Sequence, residues 1–398
     1  MSLPPKPTAK PTTTATRCAH AGHDAAGLLG NVTTHAPPIY QTSGFEYPSH
    51  VEADAAADGK LPLYTRDGNP TDERLARAVA DLEGAEAGCV FSSGMAAIAT
   101  ALEAFVGVGG HVVSVDGIYG GTYELIAGLL PRFGVTHTMV AEPKPEAVAA
   151  AIRPETKVVH LESISNPLLR VADLDGVAAV CKARGVALTV DATFATPLMQ
   201  RPIERGATLS VHSATKYIGG HGDIILGVVA GNSESIGKVR KLRKLHGSTP
   251  DPFAAWLALR GLRTMALRVE RQTASALQIA RALVELPGVE RVHHPSLPSH
   301  PDHALAKQML DGGGAIVSFE VKGGLEGARR VYDRLRIVVR AASLGDVTSL
   351  MTHPATFSHK GLGAAERQRV GIVDGLLRLS VGIEDAGDLI DDLRQALA

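Results

Sequence analysis

From Pro70 onward, apolar and polar positions along the chain fall into two alternating rhythms. Short runs rich in Val, Ile and Leu recur at 88–91, 111–115, 135–140, 157–161, 186–190, 208–212 and 224–230. Most intervals between them carry helically spaced apolar residues, at 96–105, 123–130, 146–152 and 173–183. Thr71, Asp72 and Glu73 have the N-cap and first-turn chemistry that opens another helix, running towards Glu86. Short apolar strands joined by helical crossovers predict an α/β fold. The seven runs make a seven-stranded, mostly parallel sheet with helices on both faces.

After Asp251 and Pro252 the rhythm changes. An Ala/Leu/Arg-rich stretch at 253–285 reads as a helix or a helix pair broken near Gly261. Strands follow near 315–321, 337–341 and 376–381, and a last helix spans 385–397. This predicts a flexible tail and arm at 1–62, a main domain at 63–252 and a smaller C-terminal α/β domain at 253–398.

Composition narrows the class. Lys and Arg total 40 against 41 Asp and Glu, so no global basic field points to nucleic acid. Cys18, Cys89 and Cys181 are far apart with no C-x-x-C, which fits a reducing cytoplasm rather than a disulfide framework. The most apolar long stretch, 96–115, is broken by Glu103, Gly109, Gly110 and His111, so no membrane span is expected. The first 17 residues are rich in Pro and Thr and lack an apolar core; they read as a flexible tail rather than a signal peptide.

Ligands of open α/β sheets bind beyond the carboxyl ends of strands, and four polar sets fall at such ends. Ser92, Ser93, Gly94 and Met95 lie between a strand and a helix, where small residues and free N–H groups suit a phosphate. Asp191 closes the run 186–190, and Ser213, Ala214, Thr215 and Lys216 follow the run 208–212. Tyr119, Gly120 and Gly121 come shortly after the run 111–115. Each set alone has an ordinary reading as a helix cap, a capped carboxylate or a solvated loop lysine. Together they are the parts that pyridoxal 5′-phosphate needs. A lysine forms the imine, an aspartate keeps the pyridine nitrogen protonated, amides and hydroxyls bind the phosphate, and an aromatic ring stacks.

At these residues the chain resembles the Cys/Met-metabolism branch of fold-type I pyridoxal-phosphate enzymes. That branch includes methionine γ-lyase, cystathionine γ-lyase, cystathionine γ-synthase and the O-acylhomoserine sulfhydrylases. The resemblance starts near Thr16 and also rests on the stretches 38–42, 64–71, 165–167, 213–223, 343–345, 353–355 and 378–382. It implies Lys216 as the cofactor-bearing lysine and proton shuttle, Asp191 as pyridinium partner, and Tyr119 as stacking ring and, with the neighbour's Tyr64, as the catalytic acid or base at the leaving or incoming atom. It implies phosphate contacts from Ser93, Gly94, Met95, Ser213 and Thr215, with Tyr64 and Arg66 reaching the phosphate of a neighbouring subunit. Asn166 is placed near the ring hydroxyl and also in contact with substrate, with Ser343 and Arg378 on the substrate carboxylate. The implied assembly is a homo-oligomer, a homotetramer with shared sites, acting on a small amino acid.

Four departures bear on substrate: Ala342 where cystathionine-using relatives carry Glu, Gly121 where methionine γ-lyases carry Cys, Glu124 where synthases often carry Arg, and Thr208 in place of an acidic residue. The segment His221, Gly222, Asp223 and the apolar residue before Ser343 lean towards methionine γ-lyase. The expected chemistry is γ-elimination from a methionine- or homoserine-type amino acid. The alternative is γ-replacement, including a biosynthetic version on an acylated homoserine or an activated methionine derivative. A catalytically dead binding subunit is a third class, opposed by the joint presence of Lys216, Asp191, Tyr119 and Arg378. His293, His294, His300 and His303 lie among prolines and read as a surface loop, not a metal site.

Overall fold

The structure, a computed structural model, describes residues 13–22 and 34–398. All seven expected strands of the main sheet are present: β1 (Ala87–Phe91), β2 (His111–Val115), β3 (Thr136–Val140), β4 (Thr156–Glu162), β5 (Ala187–Asp191), β6 (Leu209–Ser213) and β7 (Gly227–Gly231). Their order is β1-β7-β6-β5-β4-β2-β3. Strand β7 is antiparallel to both neighbours, and every other pair is parallel. Strands β1 and β6 both oppose β7, so β1, β4, β5 and β6 deliver their carboxyl ends to one edge.

Alternate residues of a strand face opposite ways, and here both faces are covered. Cys89 and Phe91 pack in one apolar cluster with Val113, Val159 and Val211, while Val90 packs in another with Leu75, Leu226 and Val228. That explains why the strands read as continuous apolar runs.

The smaller sheet contains β8 (Val289–His293), β9 (Ile316–Val321), β10 (Val339–Arg340), β11 (Leu350–Thr352) and β12 (Leu376–Ser380), in the order β10-β11-β12-β9-β8. Strands β8 and β11 are additions to the sequence-based expectation. The first carries Glu290 and Arg291 among few apolar residues, and the second is three residues long. The stretch 253–285 is a helix pair, Pro252–Leu262 and Met265–Val284, interrupted two residues beyond Gly261. A Cβ on Gly261 would lie 2.2 Å from the carbonyl of Gly219, so the first of these helices packs directly on the backbone that follows Lys216.

Three expectations need correction. The sequence predicts a flexible tail through Arg17; residues 1–12 lie outside the described residues, but Thr14–Ala19 is a helix with Cys18 fully buried. A second helix, His50–Ala57, interrupts the arm; it has almost no amphipathic period, so the sequence pattern hides it. The histidines at 293–303 are not a surface loop: His293, His294 and His300 are buried. Each is satisfied locally, His293 by Glu320 at 2.8 Å, His294 by the N–H of Ser296 and His300 by the N–H of Asp302. Such bonds offset the cost of burying an imidazole among prolines.

Candidate active site

A cleft of about 550 Å³ opens at the carboxyl edge of the main sheet. Its wall contains Ser93, Gly94, Met95, Tyr119, Asn166, Asp191, Ser213, Thr215, Lys216, Ser343 and Arg378. Residues separated by up to 285 positions, from Ser93 to Arg378, thus meet in one place.

One end of the cleft forms where β1 turns into the helix Gly94–Glu103. Ser93 caps that helix by accepting the N–H of Ala96 at 3.1 Å, leaving the first-turn N–H groups of Gly94 and Met95 without intrahelical partners. A Cβ on Gly94 would come within 2.8 Å of Ser213 Oγ. Only glycine therefore lets the Ser213 hydroxyl stand beside the helix start. Thr215 lines the same end, but its hydroxyl also bonds the backbone of Leu226, donating to the carbonyl at 3.2 Å and accepting the N–H at 3.0 Å.

Asp191 ends β5 and accepts the N–H of Thr193 at 2.9 Å. Burial pushes its carboxyl above the ordinary range, and the bonds from Thr193 oppose that shift. Thr193 Oγ1 also accepts the N–H of Ser213 at 2.8 Å, tying the strand-end acid to the segment that carries the lysine.

Lys216 Nζ donates to Ser343 Oγ at 2.8 Å. Burial, and after it the charge of Arg378, push the amine down to about 8. Arg378 is 4% exposed on β12. Its guanidinium donates to Asn166 Oδ1 and to the Ser343 carbonyl, each at 2.9 Å, and burial lowers its pKa to about 10. Its Nε is buried with no partner among the described residues.

The cleft also holds groups that sequence reasoning missed. Glu162, at the end of β4, accepts the N–H of Tyr119 at 2.8 Å and of Asn166 at 3.1 Å. Ile225, Phe357 and Ser358 complete the wall with Ala342 and Leu344. Glu162 carries the same signal that marked Asp191, a carboxylate closing an apolar strand; Phe357 and Ser358 carry none.

Tyr64 and Arg66 do not line this cleft. Tyr64 is exposed, with the Arg66 guanidinium 5.3 Å from its ring centre. The hydroxyl of Thr208 accepts the N–H of Leu188 at 3.0 Å, a purely structural contact between neighbouring strands.

Comparison with known proteins places this geometry. The family model described as "Cys/Met metabolism PLP-dependent enzyme" matches residues 15–398. The chain is 40% identical to L-methionine gamma-lyase of Pseudomonas putida over 387 residues, covering 96% of each protein. It is 42% identical to cystathionine beta-lyase of Coxiella burnetii, covering 96% of this chain and 97% of that one. Among solved structures, cystathionine gamma synthase from Xanthomonas oryzae pv. oryzae, in complex with aminoacrylate and cysteine, superposes with a TM-score of 0.91 at 39% identity, covering 98% of each chain. The three relatives carry three different reaction names at nearly equal identity.

Proposed function

This chain belongs to the Cys/Met-metabolism PLP-dependent enzyme family, and from that premise we propose that it performs γ-elimination on a methionine- or homoserine-type amino acid. The observation that carries the reading is the chain Lys216–Ser343–Arg378–Asn166, which sets an amine of lowered pKa beside a guanidinium with an unpaired donor.

The residues present fit pyridoxal phosphate. The helix start at Gly94 and Met95 with Ser213 would hold the phosphate, Asp191 the ring nitrogen, and Lys216 the aldehyde carbon. When bound, the cofactor supplies an electron sink that acidifies substrate protons at Cα and then at Cβ. Lys216 Nζ is the group that moves those protons. Burial and the charge of Arg378 favour its free-amine form, the form that accepts a proton. Arg378 orients the substrate through its carboxylate, with its fork already held in plane by Asn166 and Ser343. The phenol of Tyr119 stands at the cleft wall where a leaving sulfur or oxygen takes a proton.

The choice of substituent rests on the outer wall. Ala342, Ile225, Leu344 and Phe357 offer no charge to a distal ammonium or carboxylate. Incubating the purified protein with methionine, O-acetylhomoserine and cystathionine, and identifying products by mass, tests the reading. A 2-oxo acid and ammonia from the first two support it; exclusive thioether formation, only when a thiol is added, overturns it.

Gly121 favours the second reading, γ-replacement. The tyrosine loop lacks the cysteine that the resemblance associates with methionine γ-lyases.

We further propose a homotetramer built from two dimers, in which Tyr64 and Arg66 complete the neighbouring site; their position outside their own cleft supports this. Inactive Arg66→Ala and Lys216→Ala proteins, mixed under subunit exchange, then regain activity. Absence of recovery despite exchange counts against shared sites. The main domain at 63–252 and the C-terminal domain at 253–398 remain the proposed division. Among the described residues no helix is long and apolar enough to cross a membrane, and the free buried thiols of Cys18, Cys89 and Cys181 support a cytoplasmic setting.

A further inference from the structure

We propose that Glu162 is a positioning residue of the active site, whose carboxyl group clamps the backbones of Tyr119 and Asn166 and so fixes both side chains around the cofactor. The inference rests on the roles proposed above for those two residues.

Glu162 ends β4 directly opposite Asp191 on β5, so the two side chains rise from paired strand positions. It is 7% exposed and lines the cleft. Its two oxygens serve different loops, Oε1 accepting the N–H of Tyr119 and Oε2 that of Asn166. The first partner lies 43 residues away and begins the short helix Gly120–Tyr123. The second lies four residues away, in the turn that presents Asn166 to Arg378. One side chain thus holds the entry points of two loops that approach the cleft from different strands.

Other contacts meet each segment separately, the Ile118 carbonyl facing His359 Nε2 and Asn166 Oδ1 accepting from Arg378, whereas Glu162 joins the two backbones directly. Tyr119 makes no side-chain cap to its own helix. Burial and the neighbouring charge of Asp191 push the Glu162 carboxyl up, and the N–H bonds from Tyr119 and Asn166 oppose that shift.

The test compares wild type, Glu162→Gln, Glu162→Ala and Tyr119→Ala as holoenzymes. It reads kcat, KM, the visible circular dichroism of the bound cofactor and the melting temperature. Glu162→Gln is uncharged but keeps one acceptor; Glu162→Ala keeps none. Misplacement of reacting groups by about 1 Å lowers rates by on the order of 100-fold. Glu162→Ala is expected to lose kcat on that scale with an altered dichroic band, and to raise KM to the extent that Asn166 no longer holds Arg378. Glu162→Gln is expected to fall between it and wild type. Wild-type kcat and band in Glu162→Ala overturn the inference, even if the melting temperature drops, because the role is then only structural. If Glu162→Ala fails to fold, wild-type kcat and band in Glu162→Gln overturn it instead. An unchanged band in Tyr119→Ala overturns the stacking role and this inference with it. A changed band in Tyr119→Ala beside unchanged bands in the Glu162 variants overturns this inference alone.

Discussion

Ser343 accepts the hydrogen bond from Lys216 Nζ at 2.8 Å while its backbone sits at φ +123°, a region that residues with a Cβ rarely enter. The bond joins positions 127 residues apart, and the strained turn aims the hydroxyl at the amine. Ser343→Gly is expected to relieve the strain and raise unfolding free energy by about 1 kcal/mol. It also removes the acceptor, so turnover is expected to fall. Denaturant melts and kcat on the same protein check this; a loss of both stability and activity contradicts the strain argument.

The lysine assignment has a chemical test and a pH test. Borohydride reduction of the holoenzyme, followed by peptide mapping, is expected to place the cofactor on Lys216 and on no other lysine. In the cofactor-free protein the amine titrates near 8 when folded but near its ordinary value of 10.5 when unfolded. Between those values the unfolded chain binds the extra proton, so stability rises with pH across that window. Relative to Lys216→Met, cofactor-free wild type is therefore expected to gain melting temperature from pH 8 to 10.5. A flat difference means that the buried amine carries no such shift.

Arg378→Lys keeps a charge but loses the planar fork that holds both Asn166 and Ser343. A lost charge-assisted contact is worth roughly 1.5–3 kcal/mol, so KM is expected to rise about 10- to 100-fold. Substrate amides lacking the carboxylate charge are expected to react poorly with wild type. Equal rates for acids and amides sink the assignment.

A Cβ on Gly121 would stand 2.7 Å from Tyr119 Cε1 and 3.1 Å from Met95 Sδ. The tyrosine ring therefore occupies space that any side chain at 121 requires. Gly121→Ala and Gly121→Cys are both expected to displace Tyr119, lowering kcat more than they change the melting temperature. An unimpaired Gly121→Cys enzyme shows that the ring position is not set by this contact.

Ala342 brings no carboxylate of its own to the cleft wall for a distal ammonium. Cystathionine is expected to be a weaker substrate than methionine or O-acetylhomoserine, by roughly one to two powers of ten in kcat/KM. Ala342→Glu is expected to narrow the gap. A wild type that already prefers cystathionine, with no response to the substitution, refutes the specificity argument and leaves the cofactor assignment intact.

The chain order alone determined much of this site. Asp191 and Lys216 were legible because a buried parallel strand is an apolar run, and polar residues that close such a run must face the ligand edge. The turn proposed to hold phosphate was legible as a helix start for a similar local reason: Ser93 and Gly94 carry helix-start chemistry directly after a strand. What tertiary structure decided depends on register and long-range contact. Glu162 acquires meaning only when β4 aligns it with Asp191 and a loop 43 residues away brings it the N–H of Tyr119. Phe357 and Ser358 join the wall because the segment after β11 folds back over the tyrosine loop, where the Ser358 carbonyl would touch any Cβ at Gly120. His293, His294 and His300 read as exposed because prolines break every period, yet hydrogen bonds to nearby backbone and to Glu320 let them be buried. Strand ends follow from local periodicity, which sequence records. Partners across strands follow from backbone pairing, which no single stretch of sequence contains.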